Sequence, residues 1–460
     1  MITLRNSLRP VNRLPPEVIA PCVAFVCDGT DLRPIVSLTH VCRYWRRAIV
    51  SSPWIWASID SRWKWLTPLC LERAGSVPLT VRISVSSIQG DVDFLKAFLP
   101  HTTKIAHLSL TGYSSLEGMA RDIPSLSASL APNLVSLELE QTEEPTGSFP
   151  SYPLFQNVSG LKLLRLTRTP LHPLLMKTTS LLELNLSGCT TPFRFEDFIE
   201  ILRSNPSLER IALDIRFSEV PSSIIFSKIA SLPRLLQLSF NCSNATDAKM
   251  LILSISFPRG VSLEFSFSQA SEYHSVLSFL PSPPTTIQGL LDPITIVRYE
   301  TFQVEQVRLS GNDSLLSFRC NRQFSLDSVF HLFNTASVRE LHVGGAFHRG
   351  IPLSQLPALE TLVIVDVRDF RCTFDFLAED PVPCPSLKTI AFLDCNLSMG
   401  EIGELGEAVT RRKSSTAAWL HRVVVVDRAG RLPNHDMICQ LRQFVPRVDV
   451  SIDERLPDLP

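Results

Sequence analysis

The chain has 460 residues, with 44 Lys plus Arg against 45 Asp plus Glu and a formal net charge of −1. A near-neutral chain has no electrostatic footprint for a polyanion, which argues against a dedicated nucleic-acid or membrane-surface binder. Its 45% hydrophobic content is far above what disorder requires, so packed cores are affordable along most of the length.

The opening MITLRNSLRPVNRLPPE carries arginines but no apolar segment of a secretory signal. Residues 1–13 are expected to be flexible. No later stretch approaches the roughly 18 apolar residues that span a bilayer. The 11 cysteines are odd in number, scattered and without a C-x-x-C pair, which suits reduced, buried intracellular thiols better than a disulfide framework.

From Leu14 to Ile59 the sequence predicts three short helices. Asp31 is a candidate N-cap, with Leu32, Arg33 and Pro34 forming a first turn where proline is tolerated. Leu38, Val41, Cys42, Trp45 and Ile49 fall at i, i+3, i+4, i+7 and i+11, which predicts one helical stripe, with Thr39, His40, Arg43, Arg46 and Arg47 opposite. Pro53 ends that helix, and Trp54, Ile55 and Trp56 begin another short apolar element. A unit this small is marginal as a self-sufficient core. It either caps the rest of the chain or docks a partner through its tryptophans and arginines, residue types that dominate interface hot spots.

Trp63 to Arg73 then reads as a helix stopped by Gly75, and Leu79, Val81, Ile83 and Val85 as a period-two strand. Beyond it L-x-x-L-x-L recurs, as Leu134-Leu137-Leu139, Leu161-Leu164-Leu166, Leu181-Leu184-Leu186, Leu208-Ile211-Leu213 and Leu235-Leu238-Phe240. Later come Val338-Leu341-Val343, Leu359-Leu362-Ile364, Leu387-Ile390-Phe392 and Leu420-Val423-Val425. Chance alone supplies roughly a dozen such matches in a chain this apolar, so two further features decide. Middle positions are spaced 27, 20, 27 and 27 from Leu137 to Leu238, then 21, 28 and 33 from Leu341 to Val423, mostly within the 20–29 residues of leucine-rich repeats. Proline also stands two residues before the first position at Pro132, Pro206, Pro233, Pro357 and Pro385, where the mouth of a strand loses no ladder bond. Cys189 and Cys395 fall at the repeat's N/C position, as structural thiols capping backbone groups at the turn.

Residues from about 251 to 335 are irregular. Val304 to Cys320 predicts a hairpin around Gly311-Asn312-Asp313. Ser282-Pro283-Pro284-Thr285 and Glu143-Glu144-Pro145-Thr146-Gly147 predict exposed loops. Gly400, Gly403 and Gly406 predict a loop beside a helix, and Arg411-Arg412-Lys413 a solvated helix end. With 18 glycines and none of the phosphate-loop, dinucleotide, nucleophile-elbow or zinc-helix motifs, no catalytic residue and no cofactor is expected. His101/His107 and His342/His348 are each six apart, which is not helical ligand spacing, so no metal is expected either.

The N-terminal stretch resembles an F-box, the helical module through which substrate receptors of SCF-type ubiquitin ligases bind a Skp-family adaptor. The family's L-P-x-E is Leu14, Pro15, Pro16 and Glu17, and its D-L is Asp31-Leu32. Its S-x-V-C-[RK]-x-W core runs from Ser37 to Trp45, extended by two residues, and its P-x-x-W is Pro53 to Trp56. The match covers about a tenth of the chain. Pro21 departs from the family's continuous first helix. At roughly 3 kcal/mol in a helix interior, it predicts a kink or a late start. The resemblance implies an adaptor-binding set of Leu14, Pro15, Ile19, Leu32, Leu38, Val41, Cys42, Trp45 and Trp56, with a cullin reached through the adaptor. Irregular leucine-rich repeats often follow an F-box, and here they would hold a protein substrate.

The expected architecture is therefore α/β: a three-helix F-box over residues 14–60, an irregular leucine-rich-repeat solenoid over 61–450, and a tail over 451–460. The expected role is a non-catalytic substrate receptor in the cytoplasm, the nucleus or both. A repeat scaffold unconnected with ubiquitination is the alternative. Residues flanking the buried leucines face the other side of the sheet. Early in the array they are polar: Ser136, Glu138, Glu140, Arg165, Thr167, Glu183, Asn185, Arg210, Asp214 and Gln237. Of these, Glu138, Glu140, Arg165, Glu183, Asn185, Arg210 and Asp214 are the candidate substrate-binding residues. Late in the array they are apolar: Val363, Val365, Ala391, Leu393, Val424 and Val426. Those strands are either covered on both faces by the chain itself, by the Pro-rich tail or the irregular middle segment, or they leave an apolar patch that receives a substrate segment.

Overall fold

The computed structural model describes residues 14–26, 32–84, 97–113, 133–142, 160–169, 178–219, 229–242, 245–267, 290–301, 305–311, 313–320, 333–345, 353–367, 384–395, 397–414, 419–426 and 435–451, with the single residues 94, 330, 374 and 377. The chain is mixed α/β with mostly parallel strands, in two compact units, Met1–Glu219 and Val220–Pro460.

The first unit opens with α1 (Pro16–Val26), α2 (Arg33–Thr39) and α3 (Arg43–Val50). Helix α1 begins at Pro16 and runs through Pro21, so the expected late start does not occur. Asp31, the expected N-cap, lies outside the described residues. The expected single stripe from Leu38 to Ile49 is broken: α2 ends at Thr39, and Cys42 is extended (φ −160°, ψ 170°) as the residue before α3. Side-chain bonds hold this corner. Thr39 Oγ1 donates to the Val36 carbonyl at 2.6 Å, and Arg46 Nε donates to the Thr39 carbonyl at 2.9 Å, so the backbone has partners without a continuous helix.

A 3-10 turn (Pro53–Trp56) leads into β1 (Ser58–Asp60). The helix expected from Trp63 begins only at α4 (Thr67–Ala74), because Pro68 in its first turn has no N–H to extend the ladder backward. Residues Ser61–Leu66 form 3-10 turns broken at Trp63 (φ −117°, ψ 41°). Gly75 ends α4 at φ +58° and ψ −116°, not the left-handed α cap but a positive-φ conformation that glycine adopts readily.

Strands β2 (Leu79–Ser84), β3 (Ile105–Tyr113), β4 (Ser136–Gln141), β5 (Leu163–Thr167) and β6 (Glu183–Arg194) follow, then α5 (Phe195–Ser204) and β7 (Arg210–Glu219). All seven strands are parallel in chain order. Ile59, Val81, Leu108, Leu137, Leu164, Leu184 and Ile211 stand opposite one another across the sheet, and each is at most 2% exposed. Strand β1 lies within residues 14–60 and pairs with β2 beyond them, so the N-terminal segment contributes a sheet strand as well as helices. Val85 lies outside the described residues.

The second unit holds the two-residue strands β8 (Ala230–Ser231) and β10 (Ile255–Ser256), which pair with each other, on either side of β9 (Gln237–Cys242) and α6 (Ala245–Ser254). Then come β11 (Ser262–Phe267), β12 (Ile294–Thr301), β13 (Glu305–Gly311), β14 (Ser314–Cys320), β15 (Glu340–Gly345), β16 (Thr361–Val365), β17 (Thr389–Leu393), α7 (Met399–Ser414), β18 (Arg422–Val426), α8 (His435–Phe444) and β19 (Arg447–Ser451). Its larger sheet has the order β9-β11-β14-β13-β12-β15-β16-β17-β18-β19. Only β13 is antiparallel to its neighbours. The expected hairpin is β13–β14, with Asp313 at φ +62° between the two strands; Asn312 lies outside the described residues. Among the described residues of the middle segment, β11 pairs in parallel with both β9 and β14, a more regular arrangement than expected.

Every residue of the nine L-x-x-L-x-L triplets is buried. Two local devices repeat with them. The proline before the first leucine sits inside a turn closed by a backbone bond three residues long, as in Leu208 N–H to Asn205 O, Leu235 to Leu232, Leu359 to Leu356 and Leu387 to Cys384. This puts Pro206, Pro233, Pro357 and Pro385 at the second turn position, where a fixed φ is an advantage. After the strand, or in β6 where its pairing register shifts, comes a residue with positive φ: Arg168, Gly188, Asp366 or Asp394. The residue following it turns inward. Thr169, Cys189 and Cys395 there each donate to a carbonyl of their own strand and to one of an earlier strand, the capping role expected of the two cysteines.

Two expectations in the second unit need correction. Gly400, Gly403 and Gly406 lie inside α7 rather than in a loop. At Gly406 the Phe444 ring of α8 occupies the space a Cβ would need, so glycine there lets two helices approach closely. Arg411 and Lys413 are exposed, but Arg412 is 2% exposed and donates to the Cys384 carbonyl, so the basic run is not wholly a solvated end. Both expected loops, at 143–147 and 282–285, lie outside the described residues.

Candidate partner-binding surfaces

The helical segment has its own core, made by Ile19, Ala20 and Val23 of α1, Ile35 and Thr39 of α2, and Ala48 and Ile49 of α3. Trp56 is 1% exposed, donates its indole N–H to the Ile49 carbonyl at 3.0 Å, and carries the Arg73 guanidinium 4.3 Å over its ring. The residues expected to meet an adaptor therefore divide. Ile19, Leu32 and Trp56 are core residues, at most 4% exposed. Leu38, Cys42 and Trp45 are half-buried, and Leu14, Pro15 and Val41 are exposed.

The sequence reasoning missed the outer side of α1. Val18, Cys22 and Phe25 fall at i, i+4 and i+7 and are all exposed, Phe25 at 89%. The signal was available as the complement of the buried Ile19, Ala20 and Val23. Exposed large apolar side chains in this segment are Leu14, Val18, Phe25 and Val41, with Trp54 in the following turn. Tyr44 Oη donates to the Leu14 carbonyl at 2.6 Å and pins the start of α1 to α3.

The second surface is the polar face of β4–β7. Glu138, Arg165 and Asn185 are successive cross-strand neighbours, as are Glu183 and Arg210. Arg165, Arg210, Glu140 and Asp214 are exposed, and Glu138 and Asn185 are half-buried. Glu183 differs from the free contact residue expected. Its Oε1 accepts from Arg165 Nε at 3.1 Å and Nη2 at 2.7 Å, and its Oε2 from Arg210 Nε at 3.2 Å and Nη2 at 2.9 Å. Its side chain is only 13% exposed against 52% for either arginine. Burial works against the charge on Glu183, yet the arginine hydrogen bonds outweigh it and hold the carboxyl below the usual range. Nearby, burial and then the charge of Arg82 push His107 below its ordinary pKa.

In the second unit the corresponding face of β16–β18 is apolar, and of the two alternatives the covered one holds. Val363, Ala391, Leu393, Val424 and Val426 form one cluster at 0–5% exposure, with Val365 partly buried against it. At its edge Asp449 of β19 accepts from Arg422 Nε at 2.6 Å and Arg447 Nε at 3.1 Å.

Among the described residues no group of three or more His, Cys, Asp or Glu is placed to hold a metal ion, and no helix is long and apolar enough to cross a membrane. No protein-family model matches the chain, and no curated protein matches it.

Proposed function

We propose that the chain is the substrate-recognition subunit of an SCF-type ubiquitin ligase, binding a Skp-family adaptor through residues 14–60 and a protein substrate through a leucine-rich-repeat-like solenoid. It contributes no catalytic residue in this reading. The observation that carries the reading is the outer stripe Val18, Cys22 and Phe25 of α1, with Leu14 before it and Val41 between α2 and α3, on a segment that already possesses a core. Apolar side chains left exposed on a segment with its own core are spare capacity for a partner. The sequence motifs from Leu14 to Trp56 name the partner class.

Co-expression of the full chain with a Skp-family adaptor tests this. The expected outcome is a stoichiometric complex, lost in the double variant V18D/F25D, which removes exposed groups and leaves the core untouched. A folded wild-type chain that purifies without adaptor overturns the proposal. It would favour the second reading, a repeat scaffold whose helices cap the first strands. That reading draws on β1 pairing with β2 and on Arg73 stacking over Trp56.

A further inference from the structure

The Arg165–Glu183–Arg210 cluster is built differently from an ordinary surface ion pair. One nearly buried carboxylate fixes two half-exposed guanidiniums, each through Nε and Nη2 on its own oxygen. An arginine has five N–H donors in a planar fork. Two are spent on Glu183, and neither arginine makes another hydrogen bond among the described residues. The outer Nη1/Nη2 edge of each fork is therefore presented to solvent with its rotamer already fixed. An unrestrained arginine would surrender that freedom on binding, so the fixed forks save an entropic cost.

The neighbours define what fits. Asn185 is the cross-strand neighbour of Arg165, and on its other side stands the small residue Ala212, two residues from Arg210 on β7. Glu138 stands opposite Arg165 across β4–β5, and Asp214 is two residues beyond Ala212 on β7. The two arginines, Glu183 and the neighbouring Glu138 sum to zero charge, with Asp214 further along β7. The guanidinium forks can take a carboxylate or a phosphoryl group. Beside Glu138 and Asp214 a carboxylate adds one negative charge where a dianionic phosphoryl group would add two, so the surroundings favour the carboxylate.

We propose that Arg165 and Arg210, oriented by Glu183, form a specificity-determining site for one Glu or Asp side chain of a partner polypeptide lying across β5–β7. This rests on the reading above only in that the face binds a protein segment. It does not depend on the adaptor.

The test uses the full-length chain and immobilised peptides of one randomised background that differ only in a central Glu, Gln, Lys or phosphoserine. Glu-centred peptides are expected to retain the protein roughly tenfold better than Gln-centred ones. Arg165→Lys and Arg210→Lys keep the charge but not the fork, and each is expected to erase most of that preference with an unchanged thermal midpoint. If either variant unfolds, competition on the wild type replaces it: free glutarate should displace Glu-centred peptides and glutaramide should not. Equal retention of Glu and Gln peptides, phosphoserine outranking Glu, or a preference that survives both lysine variants overturns the proposal. Adaptor co-purification is followed on the same proteins. Its absence from the wild type would count against the ligase reading and leave the peptide result standing on its own.

Discussion

Glu138, Arg165 and Asn185 in β4–β6 and Val363, Ala391 and Val424 in β16–β18 occupy the same step of their strands, each one residue after the middle leucine-type position. Their strands pair in the same parallel register, and the residues beneath them are equally buried. The early set is half-buried or exposed and charged or polar, while the late set is fully buried. The inner side of the repeat therefore fixes the strand and its register, and leaves the outer side free to differ. A strand apolar on both sides is stable only when both are covered. A polar outer side needs no cover and remains available to a partner. Of the two outer faces, the early one is the one left open.

The largest test of that difference places a charge in each set. Val424→Asp buries a carboxylate among Val363, Ala391, Leu393 and Val426, and is expected to cost about 4 kcal/mol or more in chemical denaturation. Glu140→Lys changes charge by two units on the exposed early face and is expected to stay within about 0.5 kcal/mol. Comparable costs for the two would mean that the late face is open in solution.

A second test asks whether the carboxylate hubs behave alike. Glu183 and Asp449 each collect two arginines, and the hydrogen bonds lower both carboxyl pKa values against the opposing effect of burial. A carboxyl depressed on folding adds stability that is fully present above its unfolded pKa, about 4.3 for Glu, and is lost as pH falls through the folded value. Glu183→Gln is therefore expected to cost about 1–2 kcal/mol at pH 7 and progressively less below about pH 4. Denaturant midpoints of wild type and variant at pH 7, 5 and 3.5 check it. A pH-independent gap would show that the side chain matters for packing rather than for its charge.

The strands were legible because period-two burial and proline turns are local: all nine predicted triplets are buried, and the hairpin expected around residues 311–313 is the β13–β14 pair. Three features were not. The break between α2 and α3 depends on Arg46 reaching back to the Thr39 carbonyl, a contact that apolar spacing does not encode, so the stripe seemed continuous. The glycines of α7 seemed loop-like because the contact that calls for one of them, the Phe444 ring against Gly406, comes from a different helix. Glu183 seemed a free contact residue because a sequence shows a side chain's face but not the two arginines that occupy it. In the helical segment the motif residues mixed core with surface, and only the complement of the buried set exposes Val18 and Phe25.

The smallest effect concerns the side the two units share. Cys189 in the first unit and Cys395 in the second take the same place after a positive-φ residue and donate to carbonyls of two strands. Burial pushes both thiols up to about 11, while Cys70 is raised to about 11 and Cys384 to about 12. At pH 8 only roughly a thousandth of a thiol with such a pKa is thiolate, the reactive form. Cys22 and Cys439 are exposed. Iodoacetamide at pH 8, followed by peptide mass spectrometry, is expected to label Cys22 and Cys439 first and to reach Cys70, Cys189, Cys384 and Cys395 only in denaturant. The comparison turns on Cys189 and Cys395. Equal protection means that one turn device closes the strands of both units, whatever their outer faces do. Early labelling of Cys395 alone would mean that the late strands are held mainly by the cover over their apolar side and not by the turn.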